Sequence, residues 1–298
     1  MSYLSIDLFR SLFKVQDINF QNLISTWLML MTAVIVVAFL VSEITRNYSQ
    51  VDKLWSLMPI AYSWITVAAY PTPRIIIMAL LVTVWGLRLS YNFYRKGGYN
   101  IIPWKGEEDY RWQVMRDNPF LKGRLRFGLF NFFFISFYQN FLIFLFSTPM
   151  LLTALYPEKN LNIVDIIAGI FMLGFIITEG IADTQLFRFQ QAKKSGKDPD
   201  GRYRESLSKG FFKEGLWKYS RHPNFTCEQG VWISFYFFGV AASGQWINYT
   251  IAGPVLLILL FVGSSQLTES ISSKKYPEYS VYRKTVPRFL PVKFSDPE

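Results

Sequence analysis

A chain of 298 residues that is 51% apolar and 18% aromatic, with a formal charge of +10, has the composition of a membrane protein rather than of one or two soluble domains. Its single cysteine excludes an internal disulfide and a Cys-based metal cage, and its single histidine excludes a multi-His zinc site, so no metal centre is expected.

In chain order, Leu4, Leu8 and Leu12, with Phe9 and Phe13, mark one face of a short amphipathic helix, expected over 1–21 at the membrane interface. Asp7, Arg10, Lys14 and Asp17 lie in the same stretch. No small-residue cleavage site follows a short apolar core, so no cleavable signal peptide is expected. Seven long apolar runs come next, at 24–41, 54–70, 75–89, 127–146, 163–177, 231–242 and 247–262. Most reach or approach the ~20 residues that a membrane-spanning helix needs. The last two are separated by Ser243-Gly244-Gln245-Trp246, which reads as a tight helical hairpin. The alternation of a β-barrel is absent, and backbone polar groups in lipid must be satisfied within each segment. The expected fold is all-α: a polytopic membrane helical bundle of about seven transmembrane helices, forming a single domain over 1–298.

Charge assigns sides to the loops. Of 31 Lys+Arg, 26 fall in 42–53, 92–126, 188–230 and 264–298, the segments after the first, third, fifth and seventh runs. The positive-inside rule places these segments in the cytosol and the N-terminus outside. Trp104, Tyr110, Trp112, Tyr203, Trp217 and Tyr219 are interleaved with the charges, so 92–126, 188–223 and 264–298 read as folded caps over a pocket. Nothing beyond basic charge points to nucleic acid. No internal repeat or pair of broken helices marks a transporter.

The only histidine and cysteine lie in KYSRHPNFTCEQGVW, at 218–232. Pro223 disfavours helix at His222, and Asn224 is a good N-cap, so the sixth helix is expected to begin at Asn224. Arg221 and His222 then flank a helix N-terminus, a favourable place for a phosphate or another anion. Glu228 lies one turn deeper and is expected to face the bundle interior or a water-filled cavity. Glu179 and Asp183, at i and i+4, share a helix face. Arg88, inside the third run, either snorkels or pairs with Asp52, Glu179 or a cofactor.

Leu216-Trp217-x-Tyr219-x-Arg221-His222-Pro223-Asn224-Phe225, followed by Glu228, resembles the C-terminal signature of the steroid 5α-reductase superfamily, in its branch of uncharacterised DUF1295-type membrane proteins. Cys227 stands where relatives usually carry glycine. Further segments resemble the same family in order along the chain: Val51-Asp52-Lys53-Leu54-Trp55, Trp85-Gly86-Leu87-Arg88-Leu89, Glu108-Asp109-Tyr110-Arg111-Trp112, Ala182-Asp183-x-Gln185 with Phe189, and Ser265, Glu269, Tyr279, Tyr282 and Pro287.

The resemblance implies a cofactor pocket on the cytosolic side of the bundle and, in reductase members, NADPH-dependent reduction of a conjugated C=C in a lipid or steroid-like substrate. The isoprenylcysteine carboxyl methyltransferases share an Arg-His-Pro segment and use S-adenosylmethionine. Methyl transfer to a lipid or prenyl-cysteine is therefore the alternative, and a non-catalytic relative is a third reading. Arg88, Arg111, Arg188, Arg202, Arg204, Arg221 and Arg283 favour the polyanionic NADPH over a sulfonium cation. No Rossmann glycine fingerprint is present, so the bundle itself must form the site.

By resemblance, His222 bonds a cofactor phosphate or ribose, Asn224 contacts the nicotinamide end, and Glu228 orients the carboxamide. The expected cofactor-binding set is Arg88, Asp183, Arg188, Arg221, His222, Asn224, Glu228, Glu269, Tyr282 and Arg283, with 274–283 as a lid. The steroid branch stabilises the developing enolate with a Glu in helix two and a Tyr in helix three. Here Tyr62 occupies helix two, and Tyr91 near Arg88 is the expected catalytic donor. The membrane is that of the endoplasmic reticulum or the bacterial inner membrane. The lipid and the oligomeric state stay open.

Overall fold

The structure, a computed structural model, describes residues 18–102, 104–198 and 200–290, and every regular element among them is helical. The expected interfacial helix lies almost wholly outside the described residues. The first apolar run forms α1, Ile18–Thr45. A short α2, Gln50–Trp55, leads into α3, Leu57–Ala69. Thr72 then caps α4, Pro73–Arg95, by accepting from the Ile75 N–H, and Pro73 fits the first turn because its missing N–H has no helical partner there. The loop after α4 carries α5, Tyr110–Arg116, capped by Asp109.

The fourth run is one rod built of unlike pieces: α6, Arg124–Phe130; a π-helical stretch, Asn131–Tyr138; α7, Gln139–Ser147; and α8, Pro149–Ala154. The longest helix, α9, is Ile163–Ser195. It starts in an Asn162/Asp165 capping box and stops at Gly196, in the left-handed conformation. The remaining helices are α10, Arg204–Lys209; α11, Pro223–Ser243; α12, Ala252–Lys275; and α13, Tyr279–Thr285.

Five of these segments are long and apolar enough to cross a membrane: Asn19–Thr45, Pro73–Arg95, Arg124–Ala154, Ile163–Ser195 and Tyr249–Lys275. Their outward faces are apolar, as with Val37 and Ile44 on α1 and Ile166 and Ile170 on α9, all strongly exposed. This is an integral membrane protein by the physics of that surface. The other two expected runs become α3 and α11. At thirteen residues, α3 is about 20 Å long, short of a ~30 Å hydrocarbon core. The first half of α11 carries Asn224, Glu228 and Gln229, and most of the helix is buried among its neighbours.

The expected start of the sixth helix moves by one residue. Pro223 is the first helical residue and His222 holds the cap position without a side-chain cap. Proline's fixed φ suits the first turn better than the preceding coil. The expected tight hairpin is also longer: α11 ends at Ser243 with Gly244 as its cap, and a 3-10 turn, Tyr249–Ile251, intervenes before α12.

Close approach is set by small residues. A Cβ on Gly253 would lie 2.4 Å from the Phe146 Cα, so α12 and α7 meet backbone to side-chain-free backbone. The core between the helices holds Trp27, Trp85 and Trp232, all fully buried.

The two ends of the bundle differ. At one end, Arg74 donates to both carboxylate oxygens of Asp165, at 2.7 and 2.8 Å, and to the Lys159 and Asn160 carbonyls. At the other end the four basic segments assemble into one cap. Lys53 donates to the Lys105 carbonyl, Arg111 donates to Ser264 Oγ, and Lys193 reaches Gly210 and Tyr276.

Candidate functional site

Beneath this cap lies a cavity of about 940 Å³. Its inner end is made by α4, α9 and α11. Arg88 crosses from α4 to α9, with Nη2 2.7 Å from Glu179 and Nη1 2.9 Å from Asp183, and Glu228 of α11 is 3.8 Å away. One guanidinium thus faces three carboxylates, all of them nearly buried. Glu228 also accepts from two indoles, Trp85 at 2.8 Å and Trp232 at 3.2 Å. Asn224, one turn before Glu228, donates to Asp183 at 3.4 Å, while its own Oδ1 is buried and accepts no hydrogen bond from the described residues.

Aromatic rings form one wall. Phe130, Phe134 and Tyr138 stack at i, i+4 spacing, with centroids 5.1 and 5.5 Å apart and planes within 18°. All three line the cavity. The π-helical stretch adds residues to each turn and re-aims side chains relative to a regular α-helix, a device common at functional sites.

The outer end is made by α2 and the 98–115 loop. Asp52 accepts from Trp112 Nε1 at 2.9 Å, and Asp109 is gripped by Arg111 through Nε at 2.9 Å and Nη2 at 2.8 Å. Burial, then the neighbouring Asp109 carboxylate, pushes the Asp52 carboxyl above its ordinary value. Burial works against ionisation of Asp109 as well, but the Arg111 charge and hydrogen bonds outweigh it and hold Asp109 below its ordinary value.

The expected cofactor-binding residues divide into three groups. Asp183, Asn224 and Glu228 line the cavity, with Arg88 directly behind them. Arg221, His222, Glu269, Tyr282 and Arg283 come together elsewhere, at the anchor of a C-terminal strap, residues 286–290, that follows α13. Arg221 Nε is 2.8 Å and His222 Nε2 3.0 Å from Glu269 Oε1, and Arg283 joins at 3.3 Å. The backbone N–H groups of Arg221 and His222 donate to the carbonyls of Pro287 and Arg288, and the Tyr282 hydroxyl donates to the Trp217 carbonyl. None of these five lines the cavity; His222 lies one ring behind it, stacked at 5.3 Å on Phe225, which does. Arg188 lines a separate depression of about 600 Å³.

Tyr91, the expected catalytic donor, is placed away from the cavity. It is 63% exposed, on the same face of α4 as the exposed Val84 and Leu87, with Arg95 5.6 Å from its ring. One helical position decides this, because adjacent residues point about 100° apart. Asn92, the next residue, does line the cavity.

Asp52, Lys96, Tyr110 and Tyr138 also line it; sequence reasoning offered Asp52 only as a partner for Arg88 and Tyr110 only as part of a cap, and gave no role to the other two. The signal was present for two of them, in the Val51-Asp52 and Glu108-Asp109-Tyr110-Arg111 segments.

A helical bundle with an outward apolar surface and a large, partly polar cavity at one end defines a polytopic membrane protein. Residues 38–286 match the family described as "Protein of unknown function (DUF1295)", and the chain belongs to that family. It is 39% identical over 265 residues to an uncharacterised protein of Schizosaccharomyces pombe, C594.04c, a match covering 84% of this chain and 74% of the relative. No solved structure matches.

Proposed function

We propose that this protein is a membrane-embedded, NADPH-dependent reductase of a conjugated C=C in a lipid or steroid-like substrate, as its resemblance to the steroid 5α-reductase superfamily implies. The bundle crosses the membrane seven times, with α3, a short span met by local thinning of the bilayer, and α11 completing the set, the N-terminus outside and the basic cap in the cytosol.

The observation that carries this reading is the acceptor set at the inner end of the cavity. Asn224 Oδ1, Asp183 and Glu228 are buried oxygens matched to N–H donors, and a carboxamide presents two. The aromatic wall fits a flat ring system beside it. NADPH, when bound, supplies the hydride. Asp183, Asn224 and Glu228 would hold its carboxamide, and Lys96 and Arg111 are the cations that line the cavity for its phosphates. Arg88 fixes the three-carboxylate cluster, and Trp85 and Trp232 fix Glu228. Asp52 replaces Tyr91 as the acid that gives a proton to the reduced substrate, because its surroundings keep it protonated to higher pH than an ordinary aspartate.

One observation favours the alternative, S-adenosylmethionine-dependent methyl transfer. Seven carboxylates line the cavity (Asp52, Glu107, Glu108, Asp109, Glu179, Asp183 and Glu228) against two cations, and Arg111 is committed to Asp109. Such a lining attracts a sulfonium more than a polyphosphate.

The test is a thermal-shift titration of detergent-purified protein with NADPH, NADH and S-adenosylmethionine, beside Asn224→Ala. A ligand that binds the folded form raises Tm. A shift with NADPH, lost in Asn224→Ala, is expected. A shift with S-adenosylmethionine alone would overturn the reductase reading in favour of methyl transfer, and no shift with any of them points to a non-catalytic relative.

A further inference from the structure

The second depression, of about 600 Å³, opens on the outer face of α9, away from Glu179 and Asp183. Gly180, Gly215 and Phe212 line it between its two ends. Ile177 and Ile181 form its apolar end and are 56% and 47% exposed. Arg188 and Arg202 form the other end.

Arg188 and Arg202 have free guanidinium groups, as have the exposed Arg124, Arg126 and Arg204, and are set apart by lining a depression with an apolar end. Both are exposed, and neither makes a hydrogen bond or an ion pair, whereas Arg88, Arg111, Arg116 and Arg221 are each spent on a carboxylate. The one carboxylate in the depression, Glu214, is already committed to the Ser206 backbone N–H and hydroxyl.

The arginines also stand at a chemically specific height. The outward strip of α9 runs through Ile166, Ile170, Ile177 and Ile181, all exposed and apolar. Seven residues on, about 10 Å along the axis, the same strip reaches Arg188. A bilayer changes from hydrocarbon to phosphate over that interval, and the cytosolic leaflet is the anionic one.

We propose that this depression is a binding site for an anionic phospholipid of the cytosolic leaflet. The headgroup phosphate lies between Arg188 and Arg202, and an acyl chain lies along Ile181 and Ile177. Guanidinium groups suit this role because their paired N–H donors match phosphate oxygens. A zwitterionic headgroup carries its own cation beside the phosphate and gains less from the arginines. The site is separate from the cavity, and the proposal does not depend on which reaction, if any, the cavity performs.

The experiment measures binding of short-chain phosphatidylglycerol and phosphatidylcholine to the full-length protein in detergent, by native mass spectrometry with a matching thermal-shift series. In Arg188→Gln/Arg202→Gln, affinity for phosphatidylglycerol is expected to fall about tenfold or more while that for phosphatidylcholine changes little, and Arg188→Lys/Arg202→Lys recovers part of the loss. Ile177→Asn/Ile181→Asn, which leaves the charge intact, is expected to weaken both lipids. Equal affinity of the wild-type protein for the two lipids overturns the proposal. So does an equal loss from Lys284→Gln, an exposed cation elsewhere on the cap, which would show a general charge effect. Displacement of phosphatidylglycerol by NADPH or by inorganic phosphate would assign the arginines to a soluble anion and also overturn it.

Discussion

The Trp85 indole on α4 donates to Glu228 Oε2 on α11 at 2.8 Å, across the inner end of the cavity. The other Glu228 oxygen accepts from Trp232 on its own helix. A carboxylate held by two buried indoles has a fixed orientation, so whatever meets it in the cavity meets it at a set angle. Replacing it with glutamine leaves one indole facing an amide NH2. Glu228→Gln is expected to cost about 1–3 kcal/mol, read as a fall in Tm in detergent, because a buried donor loses its acceptor. In the proposed reductase it also weakens NADPH binding.

Arg88 is the single cation among three buried carboxylates. Arg88→Ala leaves Glu179, Asp183 and Glu228 without a counter-charge, and breaking a buried pair on one side costs about 3–5 kcal/mol. The variant is expected to show sharply reduced folded yield. The triple variant that also carries Glu179→Gln and Asp183→Asn should recover much of it, and no recovery would remove charge imbalance as the cause.

The outer pair, Asp52 and Asp109, gives opposite pH dependences. The folded protein holds the Asp52 proton more tightly than the unfolded chain does, so stability from this group is present below its unfolded value of 3.8 and is lost as pH rises through the folded value. Asp109 is shifted down, so its contribution is present above 3.8 and is lost as pH falls through the folded value. Asp52→Asn is expected to flatten the decline of Tm as pH rises above 3.8, and Asp109→Asn to flatten the loss on acidification below it. In the proposed reductase, Asp52→Asn also slows turnover while sparing cofactor affinity.

Glu269 ties Arg221, His222 and Arg283 together under the C-terminal strap. Glu269→Ala is expected to make residues after Thr285 more sensitive to limited proteolysis and to lower Tm. His222→Ala should do the same to a smaller degree. If His222→Ala instead left strap and Tm unchanged but abolished cofactor binding, His222 would belong to the cavity after all.

Gly253 tests the packing. A Cβ there meets the Phe146 Cα and the Leu145 carbonyl within 2.6 Å, and these are backbone atoms that cannot swing away. Gly253→Ala is expected to destabilise the bundle by roughly 1–3 kcal/mol, read as a drop in Tm.

The fold class was legible in the sequence because long apolar runs in lipid admit few solutions, and basic residues gathered in alternate segments do assemble at one end. The chemistry of the motif at 218–232 was only half legible. Glu228 lines the cavity as the apolar run after it implied, and Asn224, expected as a cap, lines it too, but Arg221 and His222 turn away to hold the strap. Pro223 at the first turn sets that division, and no local pattern reveals what residues 286–288 will bring to it.

The sequence by itself determined that this chain is a helical membrane protein and that Arg88, Asp183 and Glu228 need polar partners, since hydropathy and the cost of burying charge act on each segment alone. Only the tertiary structure decided which partners those are, that Asn92 rather than Tyr91 reaches the cavity, and that Arg188 stands with Arg202 on the outer face. Those outcomes depend on the rotation of each helix about its axis, and rotation is set by packing against neighbours distant in the chain.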